Sequence, residues 1–238
     1  MSVSPGTRKV CFVTVGATAN FDLLIRASVT SSFLSHLRSQ DYTDLVLQHG
    51  KDGDKLLRDI LPDVMFDTSD PLVDPWAMVQ GIRISRFDFR KEGLQKEMLA
   101  ARGASIESKT PGVVICHAGE SERVLPNASR SCIGQLIQST TTGAGSILDG
   151  LRLGVALIVV PNPSLLDNHQ DELAEELARQ GYVVHARIEE PNGLEKALAE
   201  AEKVRQKQKA WPPVNKGEDP RKRGLAGVMD EEMGFMLD

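Results

Sequence analysis

Two short, almost wholly apolar segments constrain the fold of this chain more than any other feature. Residues 113–116 read V-V-I-C, and residues 155–160 read V-A-L-I-V-V. Strands with so few polar residues are buried on both faces, as the central strands of parallel sheets are. Because parallel strands are joined by long and usually helical crossovers, the two segments predict an α/β fold.

The rest of the chain alternates β-branched apolar runs with longer amphipathic stretches, which is the pattern of a doubly wound sheet. Strands are predicted at residues 9–15, 44–48, 81–89, 113–116, 155–160 and 182–186, and helices at residues 21–38, 54–61, 91–102, 146–152, 168–179 and 193–209. The predicted fold class is therefore a Rossmann-like, doubly wound parallel sheet. We assign residues 1–210 to one domain, and residues 211–238 to a linker and an apolar C-terminal tail.

Composition excludes several classes of protein. A net charge of -5 argues against a general nucleic-acid binder, and no apolar run reaches the roughly 20 residues of a membrane helix. The first residues show no signal peptide. Three cysteines, Cys11, Cys116 and Cys132, are too few and too scattered for a disulfide framework or a zinc site. The pattern indicates a chain that works in a reducing cytoplasm without a transmembrane segment.

Three groups of small or polar residues follow predicted strands at their carboxyl ends, where open α/β sheets bind ligands. The first group is V-T-V-G-A-T, which contains Thr14, Gly16 and Thr18. Its glycine spacing lacks the G-x-G-x-x-G pattern, so a dinucleotide site of the dehydrogenase type is disfavoured. A tight turn without a ligand explains these residues equally well.

The second group pairs His117 and Gly119, in H-A-G, with Ala144, Gly145 and Ser146, in A-G-S at the start of a predicted helix. Small residues let backbone amides approach a phosphate, and a helix N-terminus adds positive potential. Taken alone, Ser146 is better explained as the N-cap of that helix.

The third group follows the most apolar strand and consists of Asn162, Asn168, His169 and Gln170. These side chains offer neutral hydrogen-bond donors and acceptors, which suit the hydroxyl groups of a sugar. Helix capping alone explains Asn168, but it does not explain the His169-Gln170 pair.

Five motifs, taken in chain order, resemble those of the catalytic subunits of the dolichyl-diphosphate N-acetylglucosamine transferase. They are V-T-V-G-A-T, Q-H-G, V-V-I-C-H-A-G, G-A-G-S-I-L-D-G-L and L-I-V-V-P-N-x-x-L-x-D-N-H-Q-x-E-L-A. The resemblance implies that this chain folds like the C-terminal, donor-binding half of a GT-B glycosyltransferase of family 28. It implies transfer of N-acetylglucosamine from UDP-N-acetylglucosamine to N-acetylglucosaminyl-diphosphodolichol, with inversion at the anomeric carbon. It also implies that no metal or other cofactor is required.

The resemblance also assigns roles to single residues. The loop at Gly16 and the two halves of H-A-G/A-G-S would hold the diphosphate, and Asp149 would bind the ribose hydroxyls. The transferred sugar would be bound by His169, Gln170 and Asn162. His117 is the nearest candidate for the general base, although a contact with the diphosphate suits it equally well.

Partners follow from the same resemblance. A related two-domain glycosyltransferase needs two Rossmann-like halves, and the length of this chain provides one. A lipid-linked acceptor then implies a membrane-anchored partner subunit, which would recruit this cytoplasmic chain to the cytosolic face of the endoplasmic reticulum. The apolar tail at residues 225–237 is our candidate docking element.

Residues 120–143 interrupt the second motif, and their removal restores H-A-G-A-G-S. Gly119, Glu120 and Ser121 can be encoded with the standard start of an intron, and Thr142 and Gly143 with its standard end in the same phase. We therefore interpret the segment as a retained intron that is translated in frame, in preference to an adaptive loop, which would fall inside the tightest turn of the phosphate site. If it is genuine, a non-catalytic nucleotide-sugar-binding or scaffolding subunit is the alternative.

An oxidoreductase or epimerase of the Rossmann type is a second alternative. It is disfavoured because the glycine fingerprint is missing and because the two tyrosines, Tyr42 and Tyr182, show no catalytic tyrosine-lysine pattern.

Overall fold

The structure is a computed structural model that describes residues 8–16, 21–106, 108–117, 144–163 and 169–210. The side chains of residues 144, 169, 170, 173 and 206–210 are not described. Within these residues the strands are β1 (Lys9–Thr14), β2 (Asp44–Gln48), β3 (Trp76–Val79), β4 (Ile82–Phe87), β5 (Thr110–His117), β6 (Ala156–Val160) and β7 (Val184–His185). The helices are α1 (Asp22–Ser28), α2 (Ser31–Ser39), α3 (Gly53–Ile60), α4 (Gln95–Arg102), α5 (Ala144–Leu153), α6 (His169–Arg179) and α7 (Gly193–Ala210). The chain divides into two units, Met1–Arg205 and Gln206–Asp238, and the sheet belongs to the first.

The strands form one sheet in the order β3-β4-β2-β1-β5-β6-β7. All neighbours are parallel except β3, which is antiparallel to β4. The chain passes from β1 through β2 to β4 on one side, and β5, β6 and β7 then extend the sheet on the other. The predicted Rossmann-like fold class is confirmed, and the strand order reverses between β1 and β5, where such sheets form their ligand crevice.

Both faces of the sheet are covered, which is why its central strands are so apolar. Cys11 and Val13 of β1 pack with α1, α2, α3 and α7, whereas Phe12 between them packs with α4, α5 and α6. The residues of β5 alternate in the same way, because successive side chains of a strand point to opposite faces. The two apolar segments therefore lie where their composition predicts.

The helix predicted at residues 21–38 is in fact two helices. The chain turns at Val29 and Thr30, and the Thr30 hydroxyl accepts a hydrogen bond of 3.2 Å from the Phe33 amide at the start of α2. A threonine in this position is a good N-cap, and capping satisfies a donor that a helix start leaves free. The prediction missed the break because Phe21–Arg38 keeps an apolar face on both sides of it.

The strand β3 was not predicted either. It forms a hairpin with β4 through Gln80 and Gly81, which both have positive φ, 51° and 83°. Two residues with positive φ are what a tight two-residue hairpin needs. The predicted strand at residues 81–89 therefore starts one residue later and ends two residues earlier, as β4.

Two other observations bear on the sequence predictions. Cys11 and Cys116 are buried and free, and burial raises the pKa of both thiols, that of Cys116 to about 12, so they serve as packing residues of the core. Cys132 lies outside the described residues. In the part of the chain that the structure describes, no helix is both long enough and apolar enough to cross a bilayer.

Candidate functional site

The crevice between β1 and β5 collects most of the described residues that the sequence analysis selected. Thr14 ends β1 beside Cys116 of β5, and His117, which ends β5, lies beside Val160 of β6. Asn162 follows β6 by two residues and is buried. Parallel register therefore places Thr14, His117 and Asn162 on consecutive strand ends along the same edge.

A buried hydrogen-bonded chain fixes the glycine turn after β1. The Thr14 hydroxyl donates to the Gln48 side-chain carbonyl, and it accepts a hydrogen bond of 3.2 Å from the Gly16 amide. Both side chains are buried. The Gly16 amide is thus already paired in this conformation, and Gln48, to which the sequence analysis gave no role, holds the turn from the neighbouring strand.

Gly16 has a φ of +83°, which favours glycine. A β-carbon built on it would meet no atom of the described residues within 4 Å. The described residues therefore leave space for a ligand to approach the backbone of Gly16 closely.

His117 is the most unusual side chain of the crevice. It is 4% exposed, and its ring lies 5.0 Å from that of Phe21, measured between centroids. Its Nε2 atom is buried and has no hydrogen-bond partner among the residues that the structure describes. Leaving a buried polar atom unpaired costs free energy, so an oxygen atom of a ligand at this place would be stabilised.

Burial lowers the pKa of His117 to about 4, so the imidazole is neutral at pH 7. A negatively charged group bound beside it would raise that pKa again. His49, which follows β2 at the same edge, is also buried, and burial lowers its pKa as well. Its Nδ1 lies 2.7 Å from the Gly50 carbonyl oxygen, so this nitrogen donates a hydrogen bond and its proton is fixed there.

The second motif contributes the start of α5. The helix begins at Ala144, so Ser146 is its third residue. The interpretation of Ser146 as the N-cap of this helix is therefore wrong. Gly145 and Ser146 are partly exposed in the first turn, where amides lack partners within the helix. One turn further, the Asp149 carboxylate is exposed and lies 3.5 Å from the Arg152 guanidinium.

Several predicted site residues lie outside what the structure describes. Thr18, Gly119, Asn168 and the segment 120–143 are among them. His169 and Gln170 are the first two residues of α6, but their side chains are not described. The backbone nevertheless places this pair close after β6 in the chain, at the same sheet edge as Asn162.

The charge state of His117 gives a testable pH dependence. Between its ordinary pKa of 6.5 and about 4, the unfolded chain binds more protons than the folded chain, so stability falls as the pH falls. We expect this group to remove about 3 kcal/mol of stability by pH 4. The measurement is the free energy of unfolding by urea, without ligand, at pH 7 and at pH 4. Between these two pH values, H117N should lose about 3 kcal/mol less of this free energy than the wild type. Equal losses in the two proteins would contradict the buried, neutral imidazole.

Comparison with known families adds an independent line of observation. Residues 140–220 match the model of the glycosyltransferase family 28 C-terminal domain. The match begins near the second half of the interrupted motif and extends over α5, β6, α6, β7 and α7.

Curated relatives match over most of the chain. A Cryptococcus neoformans protein named UDP-N-acetylglucosamine transferase subunit ALG13 is 32% identical over 226 residues, which are 94% of this chain and 96% of that protein. The Saccharomyces cerevisiae protein of the same name is 27% identical over 187 residues, with 74% of this chain and 76% of that protein covered. The NMR solution structure of ALG13 superimposes with a TM-score of 0.52 at 24% identity, covering 84% of this chain and 86% of that one. This last likeness concerns the fold alone.

Proposed function

The chain belongs to the family of UDP-N-acetylglucosamine transferase subunits ALG13, and we propose that it binds UDP-N-acetylglucosamine and transfers the sugar as part of a two-subunit enzyme. The proposed acceptor is N-acetylglucosaminyl-diphosphodolichol, so that the reaction adds the second sugar of a lipid-linked oligosaccharide. The observation that carries the proposal is the crevice between β1 and β5, where no described residue crowds Gly16 or pairs with the buried Nε2 of His117.

In the proposed reaction, the acceptor's 4-hydroxyl attacks the anomeric carbon from the face opposite the diphosphate, and UDP leaves with inversion. Negative charge then develops on the diphosphate. The first turn of α5, with Gly145 and Ser146, presents backbone amides and the positive end of a helix dipole, which are suited to stabilise such a charge. Gly16 lets the nucleotide approach the end of β1 closely.

The remaining roles follow the family. Asp149 is exposed and accessible to the ribose hydroxyls, and Asn162, His169 and Gln170 would bind the transferred sugar. His117 would either accept the proton of the attacking hydroxyl or contact the diphosphate. In the first role, the bound diphosphate must raise its pKa towards neutrality, because a base works best near the operating pH.

We propose that no metal ion or other cofactor takes part, since backbone amides and the helix dipole can carry the diphosphate charge. The donor domain would comprise residues 1–210. A membrane-anchored partner would supply the acceptor site on the cytosolic face of the endoplasmic reticulum, and the apolar tail at residues 225–237 would dock on it.

A non-catalytic, donor-binding subunit is the second candidate function, for the chain that carries residues 120–143. The observation in its favour is the separation of His117 from Ala144, which places 26 residues inside the proposed phosphate turn.

Nuclear magnetic resonance can test donor binding directly. We expect UDP-N-acetylglucosamine to shift the amide signals of Gly16, His117 and Gly145, while Thr43 and Gly112, at the opposite edge of the sheet, stay unchanged. GDP-mannose at the same concentration serves as the control ligand. Absence of shifts with both the full chain and a form lacking residues 120–143, or equal shifts at both edges, would contradict the proposal.

A further inference from the structure

Four charged or titratable side chains connect the start of α6 to the end of β7. The Arg187 guanidinium lies 2.5 Å from the Glu175 carboxylate and 3.3 Å from that of Asp171. The His185 Nε2 lies 3.0 Å from the other oxygen of Asp171, within ion-pair distance but without the geometry of a hydrogen bond. We call Asp171, Glu175, His185 and Arg187 the α6 clamp.

The position of the clamp in the chain suggests its purpose. Asp171 is the third residue of α6 and directly follows His169 and Gln170, the pair that would bind the sugar. Glu175 lies one helical turn later on the same side of the helix. Through Arg187, the clamp therefore ties the first two turns of α6 to the segment that directly follows β7.

Another ion pair on the same helix lacks this connection. Arg179 bonds both carboxylate oxygens of Glu176, at 2.6 and 2.8 Å, and both residues belong to α6. This pair cannot hold the helix against the sheet. It provides a matched control for the loss of a charge on α6.

Resting on the proposed function, we propose that the α6 clamp positions the first turn of α6 for recognition of the transferred sugar, with Asp171, His185 and Arg187 as positioning residues. The clamp does not contact the uridine or the diphosphate in this scheme. Its loss therefore affects binding of the sugar and leaves binding of UDP unchanged.

A metal site is the competing explanation for these residues. Asp171, Glu175 and His185 each offer one metal-ligand atom, and these three atoms lie within 4.8 Å of one another. A divalent ion could bridge atoms at this spacing. Arg187 already contacts both carboxylates, however, and its positive charge opposes the binding of a cation beside them. A cavity of about 290 Å³, lined in part by Glu175, His185 and Arg187, lies beside the cluster.

Calorimetric titration with UDP and with UDP-N-acetylglucosamine tests the clamp. For D171N and R187M we expect about tenfold weaker binding of UDP-N-acetylglucosamine and unchanged binding of UDP. E176Q should match the wild type with both ligands, and R187K, which keeps the charge, should recover most of the affinity. All proteins are measured as the full chain and also without residues 120–143.

Hydrogen exchange tests the positioning role without any ligand. We expect the amides of Ala174 and Glu175, which bond carbonyls one turn earlier in an α-helix, to exchange faster in D171N and R187M than in E176Q. Unchanged exchange and unchanged sugar affinity would overturn the clamp, as would one equivalent of Zn²⁺ bound by the wild type and lost in D171N. If the wild type binds neither nucleotide but exchange changes as expected, the clamp stands and the proposed function fails.

Discussion

Removal of residues 120–143 is expected to raise the rate of N-acetylglucosamine transfer about 100-fold, because a misplacement of about 1 Å at a reacting group can cost that much. The segment separates the two halves of the proposed phosphate turn. In the structure, β5 ends at His117 and α5 begins at Ala144. The deletion leaves Ala118 and Gly119 as the connection, which lies within the usual length of a strand-to-helix loop.

The measurement is transfer from radiolabelled UDP-N-acetylglucosamine by the two forms of the chain, each with the partner subunit and a lipid-linked acceptor. Thermal unfolding of both forms shows whether a difference in rate reflects a difference in folding. Equal rates would contradict the interpretation of residues 120–143 as an interruption. Sequencing the transcript across the junction is independent of the assay, and a message found only in the long form would refute a retained intron.

Replacement of His117 is expected to have the second large effect. If it is the general base, H117A should lower kcat by about two orders of magnitude. H117N distinguishes the two proposed roles, because asparagine can still donate a hydrogen bond to a diphosphate oxygen but cannot accept a proton at neutral pH. If His117 is the general base, both variants should have a lower kcat.

Steady-state kinetics of H117A and H117N, in the form without residues 120–143, separates kcat from KM. A change in the KM for the donor, with kcat kept, would show that His117 only contacts the diphosphate. Circular dichroism of both variants guards against loss of the fold, since His117 packs against Phe21 in the crevice. The pH profile of kcat offers a second comparison, because only a base would give it an acidic limb that both variants lose.

The parts of the fold that the sequence predicted are those with a single strong signal. Residues 155–160 are apolar without interruption, and β6 occupies five of these six positions. The Thr30 break and the β3 hairpin were missed because a cap and a four-residue edge strand produce little periodicity. In both cases one side chain or one turn, and not the apolar pattern, decides the local structure.

The candidate site shows the same division. Thr14, Gly16, His117 and Asn162 could be selected because they follow predicted strands, and parallel strands end at one edge. Gln48 belongs to the Q-H-G motif, but the sequence does not indicate its role. Its hydrogen bond with Thr14 forms only because β1 and β2 are neighbours in the sheet. The α6 clamp depends on the packing of α6 against β7, and no spacing in the sequence indicates that contact.

The central claim is that this chain supplies the donor-binding half of a two-subunit N-acetylglucosamine transferase. Its most direct test is transfer by the form lacking residues 120–143, with and without the membrane-anchored partner, followed by analysis of the lipid-linked product. The account predicts an acceptor extended by one N-acetylglucosamine only when both subunits are present. No extension with both subunits, or equal extension by the partner alone, would contradict it.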